Sequence, residues 1–224
     1  MSLYFGVFIS LFAYLIGMKL KKKFGWPVLN PLLVAIILVI AFLKATGISY
    51  TDYNTGASYI SYFLTPSTVC LAIPLYKQLE LLKKNLTAVA AAITAGVIGS
   101  VVSVYVMSMI FRLEHVHYVS LLPKSITTAI GMGVSEEAGG IVTMTIVSII
   151  LTGILGNIVA DGWFKFVGIK EPIAKGLALG TSAHAIGTAK ALELGEVEGA
   201  MSSLSIAVAG LMTVVAVPIM SGLL

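Results

Sequence analysis

Residues 122–140 (LPKSITTAIGMGVSEEAGG) and 179–198 (LGTSAHAIGTAKALELGEVE) hold the side chains best suited to chemistry. In the first, Lys124 supplies a cation, while Ser125, Thr127 and Thr128 supply hydroxyls that both donate and accept. Pro123 removes a backbone donor, and Gly131, Gly133, Gly139 and Gly140 admit non-helical dihedrals. In the second, Thr181, Ser182, His184 and Thr188 fall close together beside Gly180 and Gly187. The spacing of Thr181, His184 and Thr188 places them on one face if the segment is a helix. A cation, small hydroxyls and the open amides at the start of a half-helix describe a pocket for a small organic anion. His184 and Glu136 are the groups suited to carry a coupled proton. Each has a plainer reading too. Lys124 can snorkel to the interface, the hydroxyls can bond back to their own helix, and Glu136 and Glu137 can sit in water.

The setting of these stretches gives them weight. Of 224 residues, 58% are hydrophobic and 11% charged, and the mean hydropathy is +1.01, which marks an integral membrane protein. Polar, glycine-rich backbone at membrane depth survives only if protein buries it or it lines a watery cavity. Ionisable groups there point to function. The net charge of +4 comes from lysines scattered through short loops, so it signals membrane orientation and not nucleic-acid binding. Cys70 is the single cysteine, which excludes an intrachain disulfide and a cysteine metal cluster. HExxH, CxxC, GxSxG and GK[ST] patterns are absent, so neither an enzyme, a metal site nor a cofactor is expected.

The expected fold is all-α, a polytopic membrane protein of about seven to eight transmembrane segments filling residues 1–224 as one domain. Hydropathy places spans at 3–18, 31–45, 86–111, 141–160 and 200–223. A segment at 58–77 is interrupted by Pro66 and Pro74, and the two polar stretches form the fifth and seventh segments. Lys19, Lys21, Lys22 and Lys23 after the first span suit a retained helix better than a cleaved leader. AIPLYKQLE at 72–80 and AIGTAKALE at 185–193 agree at five positions, which suggests repeat halves 1–111 and 118–224. Loop charges run basic after 18 and 77, acidic at Glu136 and Glu137, basic at Lys165, Lys170 and Lys175, and acidic again at Glu193, Glu196 and Glu198. That order fits inverted halves if the fifth segment enters and leaves on one face as a re-entrant loop. Lys190 and Glu193 read as an ion pair on one helix face. Gly96 and Gly99 offer a close-packing flank, either inside the protein or between copies.

LPKSITTAIGMGVSEEAGG and GTSAHAIGTAKALELGEVEGAMSSLSIAVAGL together resemble the LrgB/CidB family, over essentially the whole chain. The resemblance implies an antiholin- or holin-like protein of the bacterial cytoplasmic membrane that influences murein hydrolase activity and lysis. It implies self-association and a small membrane partner of the LrgA or CidA type. A plant relative is a plastid glycolate/glycerate translocator, and pyruvate has been linked to the bacterial systems, so small monocarboxylates are the implied substrates. Lys124, Ser125, Thr127, Thr128, Glu136, Thr181, His184 and Thr188 are the positions that carry over. Ala129 stands where the family pattern often has proline, Glu137 where it often has glutamine, and Ser182-Ala183 alters its second motif.

Overall fold

The computed structural model describes residues 4–26 and 28–224, with residues 64, 65 and 68 described by backbone alone. Among the described residues the secondary structure is helical, without a strand. The chain divides into two compact units, Met1–Cys70 and Leu71–Leu224.

The first unit holds α1 (Phe5–Phe24), α2 (Pro31–Thr46), α3 (Tyr50–Ser61) and α4 (Leu64–Cys70). The expected start of the first span, at Leu3, lies outside the described residues. Three lysines, Lys21, Lys22 and Lys23, close α1 where the helix dipole favours cations. Asn30 caps α2 by accepting the Leu32 and Leu33 amides at 2.9 and 3.3 Å, with Pro31 at the first helical position. Gly6 and Gly17 let α1 approach α3 and α2 at backbone distance, and Ser10 bonds the Tyr53 hydroxyl at 2.7 Å.

The second unit holds α5 (Ala72–Lys77), α6 (Leu79–Lys84), α7 (Leu86–Phe111), α8 (His115–Leu121), α9 (Thr128–Glu137), α10 (Val142–Val167), α11 (Pro172–Leu194) and α12 (Glu196–Ser221). Pro66 and Pro74, the expected interruptions, sit in the first turns of the short helices α4 and α5, where a missing amide costs little. Among the described residues α7, α10 and α12 are long and apolar enough to cross a membrane. Each has 26 residues, hence about 39 Å of helix against a hydrocarbon core of about 30 Å.

The polar stretches fold as two helical hairpins. Hairpin 1 is α8, a turn over 122–127, and α9. Its arms are joined side by side near their base. Ser120 on the first arm accepts the Ile141 amide at 2.7 Å, and a Cβ on Gly140 would stand 3.0 Å from the Ser120 hydroxyl. The base lies beside the end of α12, where the Tyr118 hydroxyl donates to the Met220 carbonyl at 2.8 Å. The fifth segment is thus re-entrant, as expected from the loop charges.

Hairpin 2 is α11 itself, whose helical dihedrals break at His184 (φ 42°, ψ −135°). Its second arm, 185–194, folds back on the first, 172–183. A Cβ on Gly187 would stand 2.5 Å from the Leu179 carbonyl oxygen, a contact no straight helix makes eight residues apart. Leu179 and Ala191 share a buried cluster with Ala160 and Phe164 of α10. Both arms therefore run along the same half of α10, with Asn157 donating to the Ile186 carbonyl at 3.1 Å and Lys190 paired to Asp161 at 2.7 Å.

Three expectations change here. The seventh segment also returns to its starting face, so Glu193, Glu196 and Glu198 share a face with Lys165, Lys170 and Lys175 rather than lying opposite them. Thr181 and Thr188 stand on different arms instead of one helix face. Glu193 lies 3.9 Å from Lys190, but Asp161 at 2.7 Å is the closer partner.

An inverted repeat is present, at a spacing of 56 to 57 residues. α7 and α10 have equal length and end alike, on left-handed Arg112 and Gly168, with Leu113 and Ile169 amides donating 2.9 Å bonds to the carbonyls of Ser108 and Phe164. A hairpin follows each. Leu122, Ser125 and the turn residue Thr127 recur as Leu179, Ser182 and the turn residue His184. Ala129-Ile130-Gly131 recurs as Ala185-Ile186-Gly187. Because α7 and α10 cross in opposite directions, the two hairpins open on opposite faces. α7 and α12 run parallel, since Val89, Ile93 and Val97 cluster with Met201 near their starts and Val101 and Val104 with Val217 near their ends.

Candidate functional site

The turns of both hairpins reach the middle of α7. Ser100 donates to Ser125 at 2.9 Å, and the Lys124 ammonium lies 3.2 Å from Ser125 Oγ and 3.5 Å from Ser100 Oγ. One turn away on the same face of α7, Gly96 lies against Thr181, and a Cβ there would stand 2.8 Å from Thr181 Oγ1. The expected close-packing role of Gly96 is thus met inside the unit. The turns carrying Lys124 and Thr181 are held about one helical repeat, roughly 5.4 Å, apart along α7. These two residues are themselves equivalent in the repeat, as are Ser125 and Ser182.

Ile149 of α10 touches the turn of hairpin 2 and the second arm of hairpin 1. Its carbonyl accepts from His184 Nε2 at 2.9 Å, and its Cδ1 lies against Gly131. A carbonyl only accepts, so Nε2 carries the proton. His184 is buried, and its bond to Ile149 fixes the ring while the backbone reverses around it. Thr188 donates to the His184 carbonyl at 3.0 Å and shares a 2.7 Å bond with Ser202 of α12. Thr181 and Ser182 donate back to Leu177 and Ala178, at 2.8 and 2.6 Å, which satisfies the hydroxyl protons and leaves oxygen lone pairs.

Thr127 is the extended residue before α9, and its side chain makes no capping bond. The first-turn amides of α9, beginning at Thr128, therefore face the turn region without a side-chain acceptor from Thr127. Among the described residues the Lys124 ammonium has hydroxyl partners and no carboxylate. A half-buried ammonium beside open helix amides has a positive field that a carboxylate would complete.

A cavity of about 420 Å³ opens beside the turn of hairpin 2, between α7, α10 and the first arm of α11. Thr181, Ser182 and Gly96 form its polar end, and Ala92, Ala160, Trp163 and Phe164 line its apolar length. Its size falls within the range of small-molecule sites.

The structure gathers Lys124, Ser125, Thr127, Thr181, Ser182 and His184 at the turns, with Thr128 and Thr188 one step behind. It does not gather Glu136, which is exposed in the last turn of α9 at the base of hairpin 1. Ser100, Ile149 and Ser202 were not singled out from sequence. Each lies in an ordinary apolar span, where one serine or one backbone carbonyl carries no signal.

Among the described residues, three helices long and apolar enough to cross a membrane and two opposed helical hairpins with polar turns mark a polytopic helical membrane protein. The profile of the LrgB-like family matches residues 10–223, and the chain belongs to that family. It is 44% identical over 220 residues to the antiholin-like protein LrgB of Bacillus subtilis strain 168, covering 98% of this chain and 95% of that one. It is likewise 44% identical to the antiholin-like protein LrgB of Bacillus mycoides strain KBAB4, over 97% of this chain and 95% of that one. No solved structure matches.

Proposed function

We propose that this chain is a membrane carrier for small monocarboxylates of the pyruvate, glycolate and glycerate kind. The observation that carries the reading is the meeting of two inverted hairpin turns at Gly96 and Ser100 of α7, with Lys124 among hydroxyls at that point. Discontinuous helices converging at mid-membrane from an inverted repeat are the usual architecture of secondary transport sites. The substrate carboxylate rests on Lys124, Ser125 and the α9 amides, and its carbon end faces the apolar cavity. Five lysines, Lys83, Lys84, Lys165, Lys170 and Lys175, flank the crossings on one face, against Arg112 on the other. The lysine face is the cytoplasmic one in this reading, in a bacterial inner membrane.

Uptake of labelled pyruvate, glycolate and lactate into proteoliposomes tests the proposal. We expect saturable flux for at least one, reduced at least ~10-fold in Lys124→Met, since a hydrogen bond to a charged group contributes about 1.5–3 kcal/mol. Absence of flux for all three sinks the carrier. Wild-type flux in Lys124→Met sinks only the site.

A second reading has support in the printed name of the relatives, antiholin-like. Here the protein regulates lysis alongside a small membrane partner. Complementing a strain deleted for the relative separates the two. Restored autolysis control by Lys124→Met, without flux, favours the regulator.

A further inference from the structure

Each hairpin is followed by a crossing helix, and each of those helices sends one hydroxyl back onto the hairpin. On α10 it is Thr145, fully buried, which donates to the Ser120 carbonyl on the first arm at 2.8 Å and contacts Ser135 Oγ on the second arm at 2.6 Å. On α12 it is Ser202, also fully buried, which bonds Thr188 on the second arm at 2.7 Å. Its backbone presses on Gly180 of the first arm, where a Cβ would stand 2.9 Å from the Ser202 Cα. α10 and α12 match end to end at Val142–Val167 and Glu196–Ser221, so Ser202 stands deeper in its helix than Thr145 and the two hydroxyls meet different levels of their hairpins.

From these contacts we infer that Thr145 and Ser202 are positioning residues, each latching one hairpin to the crossing that follows it. The hairpins open on opposite faces, so each latch guards a different face. Thr145 holds shut the route to the turns from the Arg112 face. Ser202 holds shut the route from the lysine face. The bonds are buried and satisfied on both sides, and releasing one frees a hairpin without touching Lys124 or the α9 amides. The inference rests on the turns being the transit site, but its test does not require transport.

The test uses the full chain with Cys70→Ser and a single reporter cysteine at a turn, Ser125→Cys for hairpin 1 or Thr181→Cys for hairpin 2. An impermeant maleimide is applied from one face at a time in oriented vesicles. Loss of one such hydrogen bond shifts a closed–open balance by roughly five- to tenfold. Thr145→Val should raise labelling of Ser125→Cys by that factor from the Arg112 face only. Ser202→Ala should do the same for Thr181→Cys from the lysine face only. Thr145→Ser keeps the hydroxyl and should label at the parent rate. If Thr145→Val fails to reach the membrane, Ser135→Ala removes the second-arm contact from its other end and should raise labelling from the same face. Equal gains from both faces, gains on one common face, or no gain in either variant overturn the inference. Loss of labelling control with uptake intact leaves the carrier reading standing, whereas absent uptake with sided labelling leaves the latches standing.

Discussion

Gly131 and Gly187 are the same residue of the repeated Ala-Ile-Gly motif, yet alanine should be tolerated at one and not at the other. At Gly187 the new Cβ would stand 2.5 Å from the Leu179 carbonyl oxygen and 2.7 Å from the Ala183 Cβ. Neither obstacle can swing away, because one is backbone and the other is fixed to it. The arms of hairpin 2 would have to part by close to an ångström, an overpacking cost near the upper end of about 1–3 kcal/mol. Replacing glycine inside a helix returns about 1 kcal/mol, which leaves a net loss of about 2 kcal/mol.

At Gly131 the corresponding carbonyl, eight residues earlier on Pro123, is 3.5 Å from the new Cβ, an ordinary contact. The close atom is the Ile149 Cδ1 at 2.5 Å, the far end of a side chain that can rotate. An off-rotamer isoleucine costs about 0.5–1.5 kcal/mol, so the helix gain of about 1 kcal/mol nearly cancels it. The difference between the sites traces to Thr128, the one residue that hairpin 1 has in excess between its turn and the motif. It widens the hairpin. Thermal unfolding in detergent, followed by far-ultraviolet circular dichroism, reads the contrast. At about 2–4 °C per kcal/mol for a chain of this size, Gly187→Ala should lower Tm by about 4–8 °C and Gly131→Ala by less than about 2 °C. Equal shifts, or a larger loss at Gly131, would refute the account of the two turns.

Three other outcomes follow from the same geometry. His184→Gly should keep the hairpin, since glycine accepts a φ of 42°, whereas His184→Val adds about 1–3 kcal/mol of backbone strain and should melt several degrees lower than the glycine variant. Asp161→Asn removes the 2.7 Å bridge to Lys190, but Asp161 is half exposed, so less than about 1 kcal/mol is at stake. Its Tm should fall by under about 4 °C, with the gap to the parent closing in high salt. With Trp26→Phe as background, Trp163 in the cavity wall is the sole tryptophan. Pyruvate should change its fluorescence saturably, and an unchanged signal would remove the cavity from the site.

Much of the candidate site was legible because polar residues inside apolar runs are conspicuous. Lys124, Ser125, Thr181 and His184 stand out for that reason, and the structure places them at the two turns. Glu136 was equally conspicuous and lies elsewhere. A carboxylate at the far end of α9 is carried back to the hairpin base, and this cannot be seen until the turn is located. The reversal at His184 was hidden for a similar reason. α11 has 23 residues, the length of a membrane span, and its dihedrals depart from helix at a single position. Composition does not distinguish one long helix from two half-length arms.

The repeat shows how such a miss propagates. A match at an offset of 113 residues joins segments two periods apart, and two inversions restore the original direction, which is why α7 and α12 run parallel. The single period of 56 to 57 residues leaves a fainter trace, because Thr128 shifts the frame between Leu-x-x-Ser and Ala-Ile-Gly and no constant offset aligns both. Counting the seventh segment as a crossing then reversed the face assigned to everything after it. Once both polar stretches are hairpins, three crossings suffice for the second unit. The acidic residues around Gly195 then join the lysines of the 165–175 region on one face, where the Lys190–Asp161 bridge already ties hairpin 2 to α10.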